Sequence, residues 1–154
     1  MRTIFFLSVL VAFLITGSCG KSSLGEKFYT INIDNNSAGI VYFYAYDEFS
    51  EIQYPDTVLP STNPGPTKLG SGARFYIRDR EPWAELINEL SSDTLSIFFF
   101  ADNTYEDSSW SAISNQYLIL KRYDLSIEDL ERINFKVPYP PDETMEGIQM
   151  YPPE

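Results

Sequence analysis

Two stretches of the sequence predict strands that are buried on both faces, and they constrain the fold more than any other feature. Residues 97–100 are four large apolar side chains in a row, within "TLSIFFFAD". Residues 40–46 are apolar at positions that would face both sides of a strand. Strands of this kind occupy central positions in a covered sheet, where both faces are hidden from water. The chain is therefore expected to be rich in β-structure.

Four further segments have the pattern of strands. Residues 29–34 alternate apolar and polar side chains, and "DNNSAG" after them predicts a turn that makes a hairpin with residues 40–46. In "ARFYIRD", Phe75 and Ile77 are expected to face inward, and the intervening Arg74, Tyr76 and Arg78 outward. Residues 117–123 and 134–141 give the last two strands, and Pro138 predicts that the final one lies at a sheet edge.

Three short helices are predicted between these strands. The first, over residues 81–90, places Trp83, Leu86, Ile87 and Leu90 on one stripe. A second begins near residue 107 or 108 and carries Trp110, and a third begins at Ser126 with the spacing of a capping box. The expected fold class is therefore α+β, mainly β. It is an antiparallel β-sandwich-like sheet of about six strands with three short helices, in a single globular domain of residues 28–154. An open sheet covered by helices on one face is the alternative.

The N-terminus predicts export. Arg2 is the only charged residue before Cys19, and residues 4–15 are nearly all apolar. That run is shorter than the roughly 20 residues that a membrane-spanning helix needs, and it has the layout of a signal peptide over residues 1–18. The end of this segment, "ITGSC", resembles the lipobox of bacterial lipoproteins. The resemblance implies a lipid-modified Cys19, with residues 19–27 as a lipidated tether. Ordinary cleavage, leaving a secreted protein with a free thiol, is the alternative.

Charge and composition narrow the classes of function. The formal net charge is −11, and the chain has no histidine. An acidic surface repels nucleic acid and anionic lipid headgroups, so neither is expected as a partner. Without histidine, catalytic triads and most zinc sites are excluded. No nucleophile–base pair or phosphate-binding loop is found, so no catalytic residue, metal site or cofactor is predicted.

Three tyrosines form the candidate ligand-binding face. Tyr42, Tyr44 and Tyr46 alternate along one predicted strand and so share one side of it. If that side is exposed, the rings offer a flat platform for a sugar ring or a peptide. If helices carrying Trp83 or Trp110 cover it, the same rings belong to the core.

Two groups of charged residues have structural interpretations. The acidic side chains of "ADNTYED" include oxygen ligands suited to calcium, yet their spacing is not that of a calcium-binding loop. They are expected to form a solvated loop whose Asp107 caps the following helix. Arg122, in an otherwise apolar strand, is expected to pair with Asp124 or another carboxylate and to fix the strand register.

The second half of the chain resembles a family of small uncharacterised lipoproteins of Gram-negative anaerobic bacteria. The distinctive pieces are Trp110, "ILKRYDLS" over residues 119–126, the "DL" of Asp129 and Leu130, and "YPP" over residues 139–141. The resemblance extends over roughly residues 28–141. It implies a lipoprotein, and it implies no activity, since the family has none assigned.

The sequence thus predicts a membrane-anchored cell-envelope lipoprotein that acts as a non-enzymatic binding or structural module. Its partners would be the membrane, through the lipid anchor, and an envelope protein or glycan. The alternatives are a small carboxylate- or metal-dependent hydrolase and an inhibitory, immunity-type lipoprotein. The anchor is expected in the outer membrane. In Gram-negative lipoproteins of the kind that the chain resembles, acidic residues directly after the cysteine direct export to the cell surface. Cys19 is followed by no acidic residue until Glu26, so the resemblance favours the periplasmic face over the cell surface.

Overall fold

The computed structural model describes residues 27–45, 58–90 and 92–153. The strands are β1 Tyr29–Asn35, β2 Val41–Ala45, β3 Thr67–Leu69, β4 Arg74–Asp79, β5 Leu95–Ala101, β6 Lys121–Leu125, β7 Lys136–Tyr139 and β8 Gln149–Tyr151. The helices are α1 Trp83–Asn88, α2 Asp102–Asp107, α3 Trp110–Gln116 and α4 Ile127–Arg132, with a 3-10 helix at Glu143–Met145. The predicted fold class, α+β and mainly β in a sandwich-like arrangement, is confirmed.

The strands form two sheets. The three-stranded sheet has the order β4-β1-β7, and the five-stranded sheet has the order β3-β2-β5-β6-β8. Every pair is antiparallel except β1 with β7, which is parallel. Among the described strands, β7 pairs only with β1, so the prediction that the Pro138 strand lies at an edge is confirmed.

The predicted hairpin of β1 and β2 is wrong, because the two strands belong to different sheets. β1 pairs with β4 and β7, whereas β2 pairs with β3 and β5. The turn residues between them carry the chain across the sandwich. The buried Asn35 side chain fixes this crossing, since its Nδ2 donates to the carbonyl oxygens of Gly39 at 2.8 Å and Leu69 at 3.0 Å. β2 is apolar on both faces, and in the larger sheet both of those faces are covered.

A layer of apolar side chains fills the space between the sheets. Ile31, Ile33 and Val137 of the smaller sheet are fully buried against the larger one. Across the interface the ring of Phe99 stacks on Tyr139, with centroids 4.6 Å apart. The same layer contains the buried side chains Phe43, Ile97, Tyr123, Leu125 and Leu130. Each such side chain contributes about 1.5–3 kcal/mol relative to an exposed one, so this layer holds the two sheets together.

Helices α2 and α3 cover the other face of the larger sheet. Phe98, Phe100 and Ile113 are fully buried there. Trp110, on α3, packs edge-on against Phe100 with centroids 5.9 Å apart, and its Nε1 donates to the carbonyl oxygen of Pro60 at 2.8 Å. β5 is therefore buried on both faces, as its run of apolar residues predicts. α1 is also amphipathic as predicted, with Trp83 and Ile87 buried.

The predicted signal peptide, Cys19 and residues 20–26 of the tether lie outside the described residues. None of the helices within the described ranges has the length and apolar composition that crossing a bilayer requires.

Candidate functional site

Tyr42, one of the three tyrosines of the predicted ligand face, is buried. Its side chain is only 7% exposed, because α2 covers it. Its ring lies 4.3 Å from that of Tyr105 between centroids, and its hydroxyl donates to Glu106. Tyr44 is half-buried and stacks on Phe98, while Tyr46 lies outside the described residues. Of the two possibilities that the sequence left open, core and platform, Tyr42 belongs to the core.

A polar cluster covers the Tyr42 hydroxyl. Lys68 Nζ lies 3.0 Å from an oxygen of Glu106 and 3.3 Å from an oxygen of Asp102. The hydrogen bond between Tyr42 and Glu106 raises the pKa of the phenol and lowers the pKa of the carboxyl group, and Lys68 lowers the latter further. The "ADNTYED" segment is thus a helix, not the loop that the sequence predicted, and two of its carboxylates are paired with a lysine. The prediction that Asp107 caps the next helix is also wrong, because Asp107 ends α2 and Ser109 caps α3. Within the described ranges no three acidic or cysteine side chains converge as metal ligands.

Arg122 and Asp124 form a buried ion pair, as the sequence predicts. The Nε atom of Arg122 lies 2.9 Å from Oδ2 of Asp124, and both side chains are at most 2% exposed. Ser96 donates to the other carboxylate oxygen at 2.5 Å, and Arg122 donates to the Tyr117 hydroxyl at 3.0 Å. Because the pair is desolvated and bonded within the protein, its role is to hold β5, β6 and the segment after α3 together.

In the described part of the chain, the face of the three-stranded sheet that points away from the sandwich core is exposed along β4 and at Lys136, and we name it the outer face. It carries the alternate side chains of β1, β4 and β7 that point away from the sandwich core, namely Thr30, Asn32, Asp34, Arg74, Tyr76, Arg78, Lys136 and Pro138, of which Pro138 is buried. All three of the β4 side chains and Lys136 are exposed, Tyr76 to 48%. The described apolar clusters of the protein include none of these residues. A ligand that approaches this face would meet side chains that the strands hold in place.

Tyr76 lies among cations on the outer face. The guanidinium carbon of Arg78 lies 5.3 Å from the centre of the tyrosine ring, which is within the range of a cation–π contact. On the other side, Arg74 forms a two-pronged contact with Asp34 at 2.5 and 2.8 Å, which raises the pKa of the guanidinium. Lys136 stands beside Asn32 on the neighbouring strand.

The outer face differs in charge from the chain as a whole. It holds three cationic side chains and one carboxylate, whereas the formal net charge of the chain is −11. Charge of one sign concentrated on one face draws oppositely charged partners to that face and orients them as they arrive. An anionic partner repelled by most of this protein would therefore find its attractive surface here.

The sequence predicts that Arg74, Tyr76 and Arg78 face outward, yet it does not identify them as a site. A usable signal was present, because "RFYIRDR" places three of the chain's 11 basic residues within seven positions. What the signal lacks is the tertiary fact that the helices in the described part of the chain leave Arg74, Tyr76 and Arg78 exposed.

Comparison of the chain with protein-family models, curated proteins and solved structures gives no match. The resemblance to small lipoproteins of Gram-negative anaerobes therefore stays a prediction. The geometry of the described residues is the basis on which a function can be assigned.

Proposed function

We propose that this protein is a lipid-anchored binding module of the bacterial cell envelope. Cys19 is the anchoring residue, and the outer face of the three-stranded sheet is the binding surface. The observation that carries the proposal is Tyr76, which is 48% exposed among Arg74, Arg78 and Lys136 on an acidic chain. Exposed aromatic and arginine side chains of this kind contribute most to protein interfaces.

The charged groups away from this face support binding over catalysis. The carboxylates of Asp102 and Glu106 contact Lys68, and Asp124 contacts Arg122 and Ser96. A catalytic acid or base needs a pKa matched to its task and access to a substrate. The pKa of Glu106 is lowered, which moves it away from the range of a general acid at neutral pH.

The tether determines where the partner would be. Eight residues, the number from 20 to 27, span at most about 27 Å when fully extended. The domain therefore stays close to the membrane that holds its lipid, and the partner is a membrane-proximal component of the envelope. We place the anchor in the outer membrane, and we place the domain on the periplasmic face of that membrane because no acidic residue directly follows Cys19.

Two experiments in a Gram-negative host expressing the full chain test this function. Replacing Cys19 by Ala should abolish labelling by an alkyne-tagged palmitate and partitioning into detergent. Labelling that persists in this variant would show that Cys19 is not the anchor.

The second experiment introduces a photo-crosslinking amino acid in place of Tyr76. The matched control places it at Gln116, which is exposed on α3 on the opposite side of the sandwich. Adducts with an envelope component are expected at position 76 and not at position 116. Equal yields at the two positions, or none at position 76, would contradict the assignment of the outer face.

A further inference from the structure

β4 is an edge strand with an accessible backbone. Among the described strands it pairs only with β1. Its residues Arg74, Phe75 and Tyr76 are all exposed, Phe75 to 38%. A strand edge of this kind presents a row of unpaired N–H and C=O groups, to which another extended chain can bond.

The hydrogen-bond pattern identifies which residues of β4 turn their backbone groups to the open edge. In an antiparallel pair, residues that exchange hydrogen bonds alternate with residues that do not. The backbone N–H of Asn35 donates to the carbonyl oxygen of Ala73 at 2.9 Å, so the odd-numbered residues of β1 form their backbone hydrogen bonds with β4. The backbone N–H of Asn32 donates to the carbonyl oxygen of Phe135 at 2.8 Å, so the even-numbered residues form theirs with β7.

The β4 residues opposite Asp34, Asn32 and Thr30 are Arg74, Tyr76 and Arg78. These three therefore direct their backbone N–H and C=O groups away from β1, to the open edge. Their side chains are the same ones that stand on the outer face. A strand added at this edge would thus meet backbone partners and cationic side chains at the same residues.

The intervening residues of β4 supply an apolar contact. Phe75 points towards the sandwich core, where its ring meets that of Phe43 edge-on at 5.2 Å between centroids. It remains 38% exposed, since none of the described strands lies beyond β4 to cover its other side. Ile77, two residues on, is partly buried in the same layer. An added strand with apolar side chains facing this way would cover both.

We propose that β4 binds an extended peptide as an added antiparallel strand, and that this peptide alternates acidic and apolar residues. The acidic side chains lie opposite Arg74, Tyr76 and Arg78, and the apolar ones lie beside Phe75 and Ile77. This inference rests on the proposed function of the outer face and names the partner class for it. Strand addition takes its affinity from main-chain bonds and its specificity from alternate side chains.

Charge argues for an acidic partner over a second copy of this chain. If two copies paired antiparallel about Tyr76, Arg74 of each would lie opposite Arg78 of the other. Like charges directly opposite each other destabilise a strand pair. An acidic side chain in the same places would pair with a cation instead.

The contact between Arg78 and Tyr76 argues for a peptide over a glycan. A sugar ring that stacks on a tyrosine needs a free ring face, and the guanidinium of Arg78 already lies over one of the two faces of this ring. An acidic side chain can bind the guanidinium without displacing it from the ring.

The test uses the full-length protein in detergent micelles and the fluorescent heptapeptide Glu-Val-Glu-Val-Glu-Val-Glu. Binding is measured by anisotropy against two controls, an isomer with the same residues in blocks and a peptide with Lys in place of Glu. The alternating acidic peptide should bind at least tenfold more tightly than either. Affinities within threefold of each other would overturn the proposal.

Backbone methylation tests the strand geometry directly. In the antiparallel arrangement the Glu residues bond to β4, because they lie opposite the residues whose backbone faces the edge. N-methylation of the third or the fifth residue, both Glu, should therefore reduce affinity at least tenfold, and N-methylation of the Val between them should change it less than threefold. Equal losses, or a loss only on methylating Val, would overturn antiparallel addition.

Two protein variants complete the test. Tyr76→Pro removes an edge-facing N–H that the sheet does not use, a position where proline is tolerated, and it should abolish binding while the tryptophan fluorescence of the fold is retained. Arg78→Glu should reduce the affinity for the alternating acidic peptide at least tenfold, because two carboxylates would then lie opposite each other, and Gln116→Glu on α3 should leave that affinity unchanged. An unchanged affinity in Arg78→Glu would overturn the assigned position of the acidic residues.

The outcomes separate this inference from the proposed function. If oligogalacturonate binds in an Arg78-dependent way and the peptides do not, strand addition is wrong while the outer face remains the binding surface. If the peptides fail and the crosslinker at position 76 also gives no adducts, both are wrong.

Discussion

Replacing Asp124 by Asn should be among the most destabilising single changes in this domain. The substitution leaves the Arg122 guanidinium 0% exposed and without the carboxylate that lies 2.9 Å from it. Breaking a buried ion pair by removing one partner costs about 3–5 kcal/mol. For a domain of this size, at about 4 °C per kcal/mol, the midpoint of thermal unfolding should fall by roughly 12–20 °C.

The double variant Arg122→Met, Asp124→Leu distinguishes the cost of an unpaired buried charge from the cost of changing the side chains at these two positions. With both charges removed, no buried charge is left unpaired, and substitution by apolar side chains of similar volume is often neutral. The Ser96 hydroxyl loses its acceptor, and leaving a buried donor without an acceptor lowers the free energy of unfolding by about 1–3 kcal/mol. The double variant should therefore be destabilised by about 1–3 kcal/mol, which is less than the single change.

Urea-induced unfolding followed by the fluorescence of Trp83 and Trp110 measures both variants. The matched control is Asp107→Asn, which removes an exposed carboxylate on α2 and should change the free energy of unfolding by less than about 0.5 kcal/mol. A loss below about 1 kcal/mol for Asp124→Asn, or a double variant less stable than the single one, would refute the desolvated pair as the reason.

Three further predictions concern the core and the pH dependence. Trp83→Ala should cost about 3–5 kcal/mol because the ring is buried, and Trp110→Ala should cost less because its ring is half-buried; equal urea midpoints for the two variants would contradict this. Burial raises the pKa of Tyr117 to about 12, above its unfolded value of 10.0, so stability should fall between pH 10 and pH 12 as the unfolded phenol loses its proton first. Tyr117→Phe should lessen that fall, and an identical fall in both proteins would refute it. The lowered pKa of Glu106 predicts stability that is present above pH 4.5 and lost on acidification. Between pH 6 and pH 3, the free energy of unfolding measured in urea should therefore fall less for Glu106→Gln than for the parent protein. An equal fall would count against the paired carboxylate.

Local sequence patterns predict those elements that are stabilised by contacts within the element itself or by the burial of an apolar run. The apolar run of β5 identifies a strand buried on both faces. The capping box at Ser126 and Asp129 forms as its spacing predicts, and it begins α4. Arg122 lies in an apolar strand, and a buried charge requires a partner of opposite charge. The sequence therefore predicts its pairing with a carboxylate such as that of Asp124.

Other elements depend on contacts that a local pattern does not contain. β3 and β8 have three residues each, too few for a periodic signal, and they form by pairing with the edges of the larger sheet. α2 follows β5 directly and has no side-chain cap, so its polar sequence resembles a loop. Contacts of its side chains with Tyr42 and Lys68 stabilise it.

The outer face is predictable only in part for the same reason. Alternation in β4 indicates that Arg74, Tyr76 and Arg78 point outward, and this is what the pairing with β1 shows. Whether an outward-facing residue meets water or another layer depends on where the helices pack. Here α2 and α3 pack on the larger sheet, and within the described ranges Arg74, Tyr76 and Arg78 of the smaller sheet remain exposed.

A comparison of photo-crosslinking from position 76 in the anchored protein and in its Cys19→Ala variant tests anchor and binding surface together. We expect adducts in the anchored protein and a yield at least tenfold lower in the variant, because the tether raises the effective concentration of the partner near the outer face. Equal yields would contradict a membrane-proximal partner, and no adducts in either protein would contradict the outer face as a binding surface.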